Sequence, residues 1–251
     1  MAIKSVAVLT ATSGRHELAR CVDSVRLQAT SLPVRHYLMT DAGVMSAKIY
    51  GLLRARYPHC SFSFWDGKVG RGDEGQQLEG RRLYAAAAGL VDEDAVLMLN
   101  DDDWFEPDHI QSLVDILDSG KDWAFSLRKI YDKDGNFLFH DDCEALGLWP
   151  VWNSAPYQPQ YLVEHSAFAL TRGAFKEFAP LFNYPGYGVD RVFTAALREQ
   201  RPNFACSMKH SLCYSLGGNP ISVQADFFEA GNAVMRDRYP KGFPWREQLQ
   251  P

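Results

Sequence analysis

Three consecutive carboxylates, Asp101-Asp102-Asp103, follow Asn100 and the apolar run Ala95-Val96-Leu97-Met98-Leu99. The run reads as a short buried strand, so the acidic residues stand at its C-terminal end. Adjacent carboxylates repel one another, a poor structural choice unless something cationic sits among them. Mg²⁺ or Mn²⁺, held by one or two carboxylates and a ligand's phosphates, suits such a site. In open α/β sheets that edge is also where ligands bind. The plain alternative is a solvated acidic turn. It would lead through Trp104-Phe105-Glu106-Pro107-Asp108 into a helix whose first turn holds Pro107. The strand before and the helix after favour the ligand site.

Other candidates lie at neighbouring strand ends. The first strand closes on Thr10-Ala11-Thr12-Ser13-Gly14-Arg15, where small residues let a ligand approach the backbone. The second closes on Asp41, which either accepts a hydrogen bond from a base or ribose or serves as a turn residue before Gly43. Asp190 follows Gly188-Val189 at the start of a helical stretch, where an acidic residue is also favoured by the helix dipole.

The elements that must position these residues follow from periodicity. Ser5 to Thr12 is a strand, and Arg15 to Gln28 a helix with Leu18, Cys21, Val22 and Val25 on one face. Val34 to Thr40 is a strand. Ser46 to Tyr57 is a helix with Ile49, Leu52 and Leu53 on one side. Cys60 to Trp65 is a strand, Gly67 to Gly75 a loop, and Gln76 to Gly89 a helix. This alternation predicts a parallel sheet over the first ~118 residues. The second half is mixed. Trp123 to Tyr131 and Phe137 to His140 flank the hairpin signal Asp134-Gly135. Trp149 to Tyr161 is an irregular aromatic loop and His165 to Leu170 a strand. Gly173 to Pro180 and Val189 to Glu199 are helices. Phe204 to Leu216 is mostly strand, closed by Gly217-Gly218-Asn219-Pro220, and Val223 to Arg238 is a helical tail.

Composition narrows the function classes. The chain has 251 residues and a formal net charge of −5, which argues against a broad nucleic-acid or anionic-membrane surface. No stretch is apolar enough to span a membrane, and no secretory leader precedes the first strand. Five scattered cysteines, none in C-x-x-C spacing, suit reduced thiols in a cytoplasmic protein.

Val6 to Gln28 (VAVLTATSGRHELARCVDSVRLQ) resembles the opening of family 2 glycosyltransferases of the GT-A fold. Val96 to Leu113 (VLMLNDDDWFEPDHIQSL) resembles their metal-binding DXD segment. Gly188 to Phe193 (GVDRVF) resembles their later acidic motif. The likeness covers about residues 4 to 216. It implies an α/β fold, a single GT-A-like domain over residues 1–251. A nucleotide-sugar-binding half with a parallel sheet spans about 4–118, a mixed acceptor and catalytic half about 119–220, and a helical tail 221–251.

The resemblance implies an inverting, metal-dependent glycosyltransferase, hexosyltransferase in type. Its donor would be a nucleotide-diphosphate sugar such as a UDP-sugar, and its cofactor Mn²⁺ or Mg²⁺. The acceptor would be a glycan, a glycolipid or another hydroxyl compound. Thr10, Thr12, Arg15, Asp41 and Asp101 would surround the nucleotide, and Arg81 or Arg82 would stand near the diphosphate. Asp102 would be the main metal ligand, with Asp103 supporting it. Asp190 would be the general base, with Asp142, Glu144 and Glu164 next in line. Arg81 and Arg82 read equally well as a solvated helix face, and Asp190 as a helix cap. Two departures stand out. Asn100 occupies a position where the family often has Asp, so the three aspartates match the motif in more than one way. No His follows Tyr214, where many members of the family have one; His165 or His210 either substitutes for it or, the plainer reading of a lone histidine, is structural. Trp149, Trp152, Tyr157 and Tyr161 form either an acceptor wall or core packing. The rival functions are a nucleotidyltransferase, which would want a Gly-rich basic loop where Thr10 to Arg15 stands, and a non-catalytic nucleotide-sugar-binding protein.

Overall fold

A computed structural model describes residues 2–69, 80–186, 188–216 and 223–246. The predicted loop from residue 70 to 75, the predicted helix start at 76–79 and the closing segment 217–220 lie outside the described residues.

Four parallel strands form the first half: β1 (Val6–Ala11), β2 (Val34–Asp41), β3 (Ser61–Trp65) and β4 (Ala95–Met98). Val6 to Leu9 of β1 and all of β4 are buried. Such continuous apolar runs mark strands covered on both faces. Helix α1 (Leu18–Arg26) covers one face with Leu18, Cys21, Val22 and Val25, the stripe predicted from spacing. Helix α2 (Ala47–Arg56) starts at Ser46, whose Oγ accepts from Ile49 N at 3.3 Å. Its predicted apolar side is not buried: Ile49 is 48% and Leu52 63% exposed. Tyr50 instead packs on Phe62 and Phe64 of β3. Helix α3 (Arg81–Ala87) precedes β4.

Sequence reading missed β5 (Trp104–Phe105), which pairs antiparallel with a much later strand. Helix α4 (His109–Asp118) therefore begins after Pro107 rather than through it. Pro107 lends its carbonyl to Ala29 N at 2.7 Å. The second half adds β6 (Trp123–Tyr131), β7 (Phe137–His140), β8 (Phe168–Thr171) and β9 (Phe204–Ser215). The hairpin β6–β7 forms as predicted, with Gly135 at φ 86°, a conformation glycine adopts without strain. The strand expected from His165 is instead a 3₁₀ turn, His165–Ala167, leading into β8. Glu164 causes it, its Oε2 accepting from Ser166 N at 2.7 Å. Helices α5 (Arg172–Phe178), α6 (Val189–Gln200) and α7 (Ala225–Arg238) complete the described elements.

Among the described residues one sheet runs β3-β2-β1-β4-β8-β6-β9-β5, with β7 against β6. It is parallel from β3 to β4, then mixed, and one apolar core follows it through both halves. The four loop rings divide. Trp149 packs on Trp245 and Trp152 on Phe227, both in the C-terminal segment, while Arg198 covers Tyr161 at 3.8 Å. Tyr157 alone of the four is fully open, at 89% exposure. A wall of four rings facing an acceptor is therefore not what the chain builds; the tryptophans anchor the tail. No helix among the described residues is long and apolar enough to cross a membrane.

The second half is tied together by a buried guanidinium. Arg128 of β6 donates to Asp141 at 2.7 Å and Glu144 at 2.8 Å, between the rings of Tyr214 and Phe228. Burial alone would raise the Asp141 carboxyl. Arg128 and the backbone N–H groups of Cys143, Glu144 and Ala145 outweigh it and hold the group below the ordinary range. This pairing stabilises the fold above the unfolded carboxyl value and is lost as pH falls through the depressed one. Arg128→Met leaves buried Asp141 without its cation and Glu144 with Arg191 alone. It should cost about 3–5 kcal/mol at neutral pH in a urea melt; a loss below about 1 kcal/mol would contradict the hub role.

Candidate functional site

The site begins where β1, β2 and β4 end. Leu9 pairs with Met98, and Ala11 with Met39. Thr12 N still donates to the Met39 carbonyl at 2.8 Å and Leu99 N to the Leu9 carbonyl at 2.9 Å. The ladder thus carries Thr12, Asp41 and Asn100 to one edge before the chains turn away.

The acidic triplet is held in three different ways. Asp101 is buried and accepts from Thr12 Oγ1 at 2.8 Å and Ser13 N at 3.2 Å, with Arg15 Nε at 3.8 Å. Asp102 is more open and pairs with an Arg15 guanidinium nitrogen at 2.8 Å. Asp103 is buried, taking Ser215 N at 2.9 Å and Asn100 Nδ2 at 3.0 Å. Burial raises the proton affinity of all three. For Asp101 and Asp102 the Arg15 charge opposes it, whereas for Asp103 the Asp102 and Glu164 charges add to it.

A second group stands opposite, brought there by the antiparallel pairing of β8 with β4. Ser166 Oγ accepts from Asn100 N at 3.1 Å, and His165 Nε2 meets Asn100 Oδ1 at 2.7 Å. His165 Nδ1 lies 3.0 Å from Glu164 Oε1 and 3.4 Å from Asp190 Oδ1. Burial disfavours a charged ring, but Glu164 and Asp190 outweigh it and raise His165 well above its ordinary value. Asp190, the second residue of α6, follows Gly188 at φ 78°. It is thus joined to the triplet through His165 and Asn100. Sequence reading weighed His165 only as a substitute for the family's late histidine, not as a link between Asn100 and Asp190. The signal was available in the register: Leu97 opposite Ala169 puts the turn before β8 beside the residues after β4.

The remaining predicted residues fall at different places. Asp41 is buried at the end of β2, with Gly43 N on its Oδ1 at 2.8 Å. Arg81 starts α3 and donates to the Gly186 carbonyl at 3.2 Å. Arg82 lines a shallow depression with Val69, Pro180 and Asn183. Thr10 is a correction: it is fully buried, and its hydroxyl meets His36 Nε2 at 2.9 Å and Cys21. It lies within β1, which is covered on both faces, two residues short of the edge that Thr12 reaches. Of the fallback bases, Asp142 is tied to Trp245 and Arg246 and Glu144 to Arg128 and Arg191. Glu164 stays within the site.

Two groups are able to hold a cation. Glu164, His165 and Asp190 bring ligand atoms within 4.8 Å of one another, and the imidazole there offsets at most one of the two carboxylate charges. Asp102 and Asp103 offer hard oxygen donors with raised proton affinity, Asp102 paired with Arg15 and Asp103 with N–H donors alone, a donor set that suits Mg²⁺ or Mn²⁺.

Residues 5–179 match the family described as Glycosyl transferase family 2, and the chain belongs to that family. No curated protein matches it. Among solved structures, S. aureus TarS 1-349 aligns with a TM-score of 0.60 at 12% identity, over 84% of this chain and 60% of that one. The same protein in complex with UDP aligns at 0.57 and 14%, over 93% and 64%. In complex with UDP-GlcNAc it aligns at 0.59 and 13%, over 93% and 65%. The chain thus spans less than two thirds of these TarS chains. The likeness is one of fold, the mixed α/β sheet of the GT-A class.

A site of buried carboxylates sets a pH and cation dependence. Carboxyls raised in the folded state hold protons that the unfolded chain releases. Their contribution is therefore present at acid pH and lost as pH rises from the unfolded value through the raised one. In chelator at neutral pH, Asp102→Asn should melt at or above wild type, because it removes part of this repulsion. Mn²⁺ should raise the melting temperature of wild type and leave the variant unmoved. Equal shifts in both proteins would place the cation elsewhere.

Proposed function

We propose that the chain is a metal-dependent inverting glycosyltransferase that moves a sugar from a nucleotide-diphosphate sugar to an acceptor hydroxyl. The observation that carries the reading is the link from Asp190 through His165 and Asn100 to the triplet. It sets a free carboxylate across from a cluster suited to a cation and a diphosphate, and the chain's family supports glycosyl transfer. The TarS complexes with UDP and UDP-GlcNAc support a UDP-sugar as donor. In this reading residues 1–251 act as one domain, and the acceptor is a glycan, a glycolipid or another hydroxyl compound.

Thr12, Arg15, Asp41 and Asp101 would bound the nucleotide, with Arg81 and Arg82 on the diphosphate side. Asp102 and Asp103 would hold Mn²⁺ or Mg²⁺. When bound, the cation supplies positive charge to a leaving diphosphate. Arg15, already on Asp101 and Asp102, adds a second positive charge at the same edge. Asp190 takes the proton of the acceptor hydroxyl as its oxygen attacks the anomeric carbon. The hydroxyl is a weak nucleophile at neutral pH, so proton removal in the transition state is needed. Attack from the side opposite the diphosphate inverts the anomeric configuration.

A panel of UDP-sugars with Mn²⁺ should yield released UDP with at least one donor. Asp190→Asn retains the shape and should lower that turnover by about 10²–10⁴-fold, with donor affinity nearly unchanged. Near-normal turnover in this variant would remove Asp190 as the base and turn attention to Glu164.

A further inference from the structure

His165 touches both Asn100 and Asp190, and its partners dictate how it is oriented. Asn100 Nδ2 faces two carboxylates, Asp103 at 3.0 Å and Glu164 at 3.5 Å. An amide nitrogen only donates, so this end of Asn100 is settled by its neighbours. Its Oδ1 must then be the atom that faces His165 Nε2 at 2.7 Å. That oxygen only accepts, so Nε2 carries a hydrogen. The opposite nitrogen, Nδ1, faces Glu164 Oε1 at 3.0 Å and Asp190 Oδ1 at 3.4 Å. Asp190 Oδ1 is buried, yet the side chain retains 28% of its surface. Neither this oxygen nor His165 Nδ1 has a hydrogen bond of good geometry, so the two meet as a charge contact at 3.4 Å, with the rest of the carboxylate turned outward. Tyr84 packs against the imidazole at 5.8 Å between centroids, and Tyr84 in turn packs on Phe182. The ring is braced by packing as well as by hydrogen bonds.

We infer that His165 is the positioning residue of the transfer reaction, a strut between Asn100 and Asp190 that sets how far the proton-accepting carboxylate stands from the acidic triplet. The inference rests on the reading of Asp190 as base. The strut has a mechanical reason. The triplet leaves the sheet at the end of β4, while Asp190 sits on α6, an element that follows β8 by a separate helix and loop. No strand ladder spans that gap, so a side chain must. His165 does so from the 3₁₀ turn at the head of β8, the strand paired to β4. General-base catalysis is steep in distance, and a misplacement of about 1 Å can cost about 10²-fold. Such a residue need not touch the donor or the acceptor.

A double-mutant cycle tests this, with UDP released from UDP-GlcNAc in Mn²⁺ as the readout and water or an added acceptor as the nucleophile. The proteins are wild type, His165→Gln, Asp190→Asn and the double variant. Gln retains a donor toward Asn100 but nothing toward Asp190. If His165 acts through Asp190, His165→Gln lowers kcat by about 10–10²-fold with KM for UDP-GlcNAc within about twofold. In the Asp190→Asn background the same change then costs nothing more. Losses that multiply, a KM effect without a kcat effect, or no effect at all would overturn the positioning role while leaving Asp190 as base. If Asp190→Asn itself turns over normally, the base reading falls, and the strut with it. A spectroscopic arm is independent of turnover. In protein labelled with ¹⁵N-histidine, Asp190→Asn should move the His165 Nδ1 resonance more than Nε2. Unmoved resonances in a folded variant would show that the two side chains are not coupled.

Discussion

Like charge held out of water is the constraint around which this chain is arranged. Asp101, Asp102, Asp103, Glu164 and Asp190 converge at one sheet edge, and two cationic groups, Arg15 and His165, meet them there. Two carboxylate oxygens within 4.8 Å of each other, as around His165, repel by on the order of 3 kcal/mol or more at an effective dielectric constant of about 20. Several such pairs would consume much of a domain's net stability, which is typically about 5–15 kcal/mol. The arrangement is tolerable because each carboxylate has a dedicated partner. Hydroxyl and backbone donors serve Asp101, a guanidinium serves Asp102, and backbone and amide N–H groups serve Asp103. The imidazole serves Glu164 and Asp190. What is left over is a demand for positive charge near Asp102 and Asp103, which the proposed cation and its diphosphate would meet.

The rest of the fold serves to hold these partners still. The parallel half brings β1, β2 and β4 to a common edge by backbone register alone. The mixed half works by side chains. Arg128 binds Asp141 and Glu144, Glu144 binds Arg191, and Arg191 follows Asp190 on α6. The tail reinforces the same region, because Trp245 and Arg246 both hold Asp142. A buried ionic hub is a weak source of net stability. Its use here is geometric, since it links the loop after β7 to the helix that carries Asp190.

Much of this could be read from the residues, and the failures have physical causes. Strands β1, β2 and β4 and helix α1 declared themselves by apolar spacing, because each buries a continuous run or stripe; β3 was read from alternation. Helix α2 misled: Ile49, Leu52 and Leu53 share a side, yet Ile49 and Leu52 face outward and a ring, Tyr50, makes the packing. Strand β5 was invisible because two residues carry no period and its partner lies about a hundred residues on. Thr10 was assigned to the ligand side through the family resemblance, whereas it lies inside a strand covered on both faces, short of the edge. The triplet and Asp190 were recognised by kind and context. Their connection through Asn100 and His165 was not, because it depends on the antiparallel register of β8 against β4, which only tertiary pairing sets. The tryptophans of the aromatic loop were likewise ambiguous until their partners in the tail were known.

The central claim is that the buried carboxylates at this edge exist to hold a cation and a nucleotide diphosphate together. Crystals grown with UDP and Mn²⁺ and measured at the manganese absorption edge test it most directly. The account predicts one strong anomalous peak in inner-sphere contact with Asp102 or Asp103 and with a UDP phosphate oxygen, while Asp190 stays on His165 and clear of the ion. A peak among Glu164, His165 and Asp190, or UDP bound at this edge with no ion beside the triplet, would contradict it.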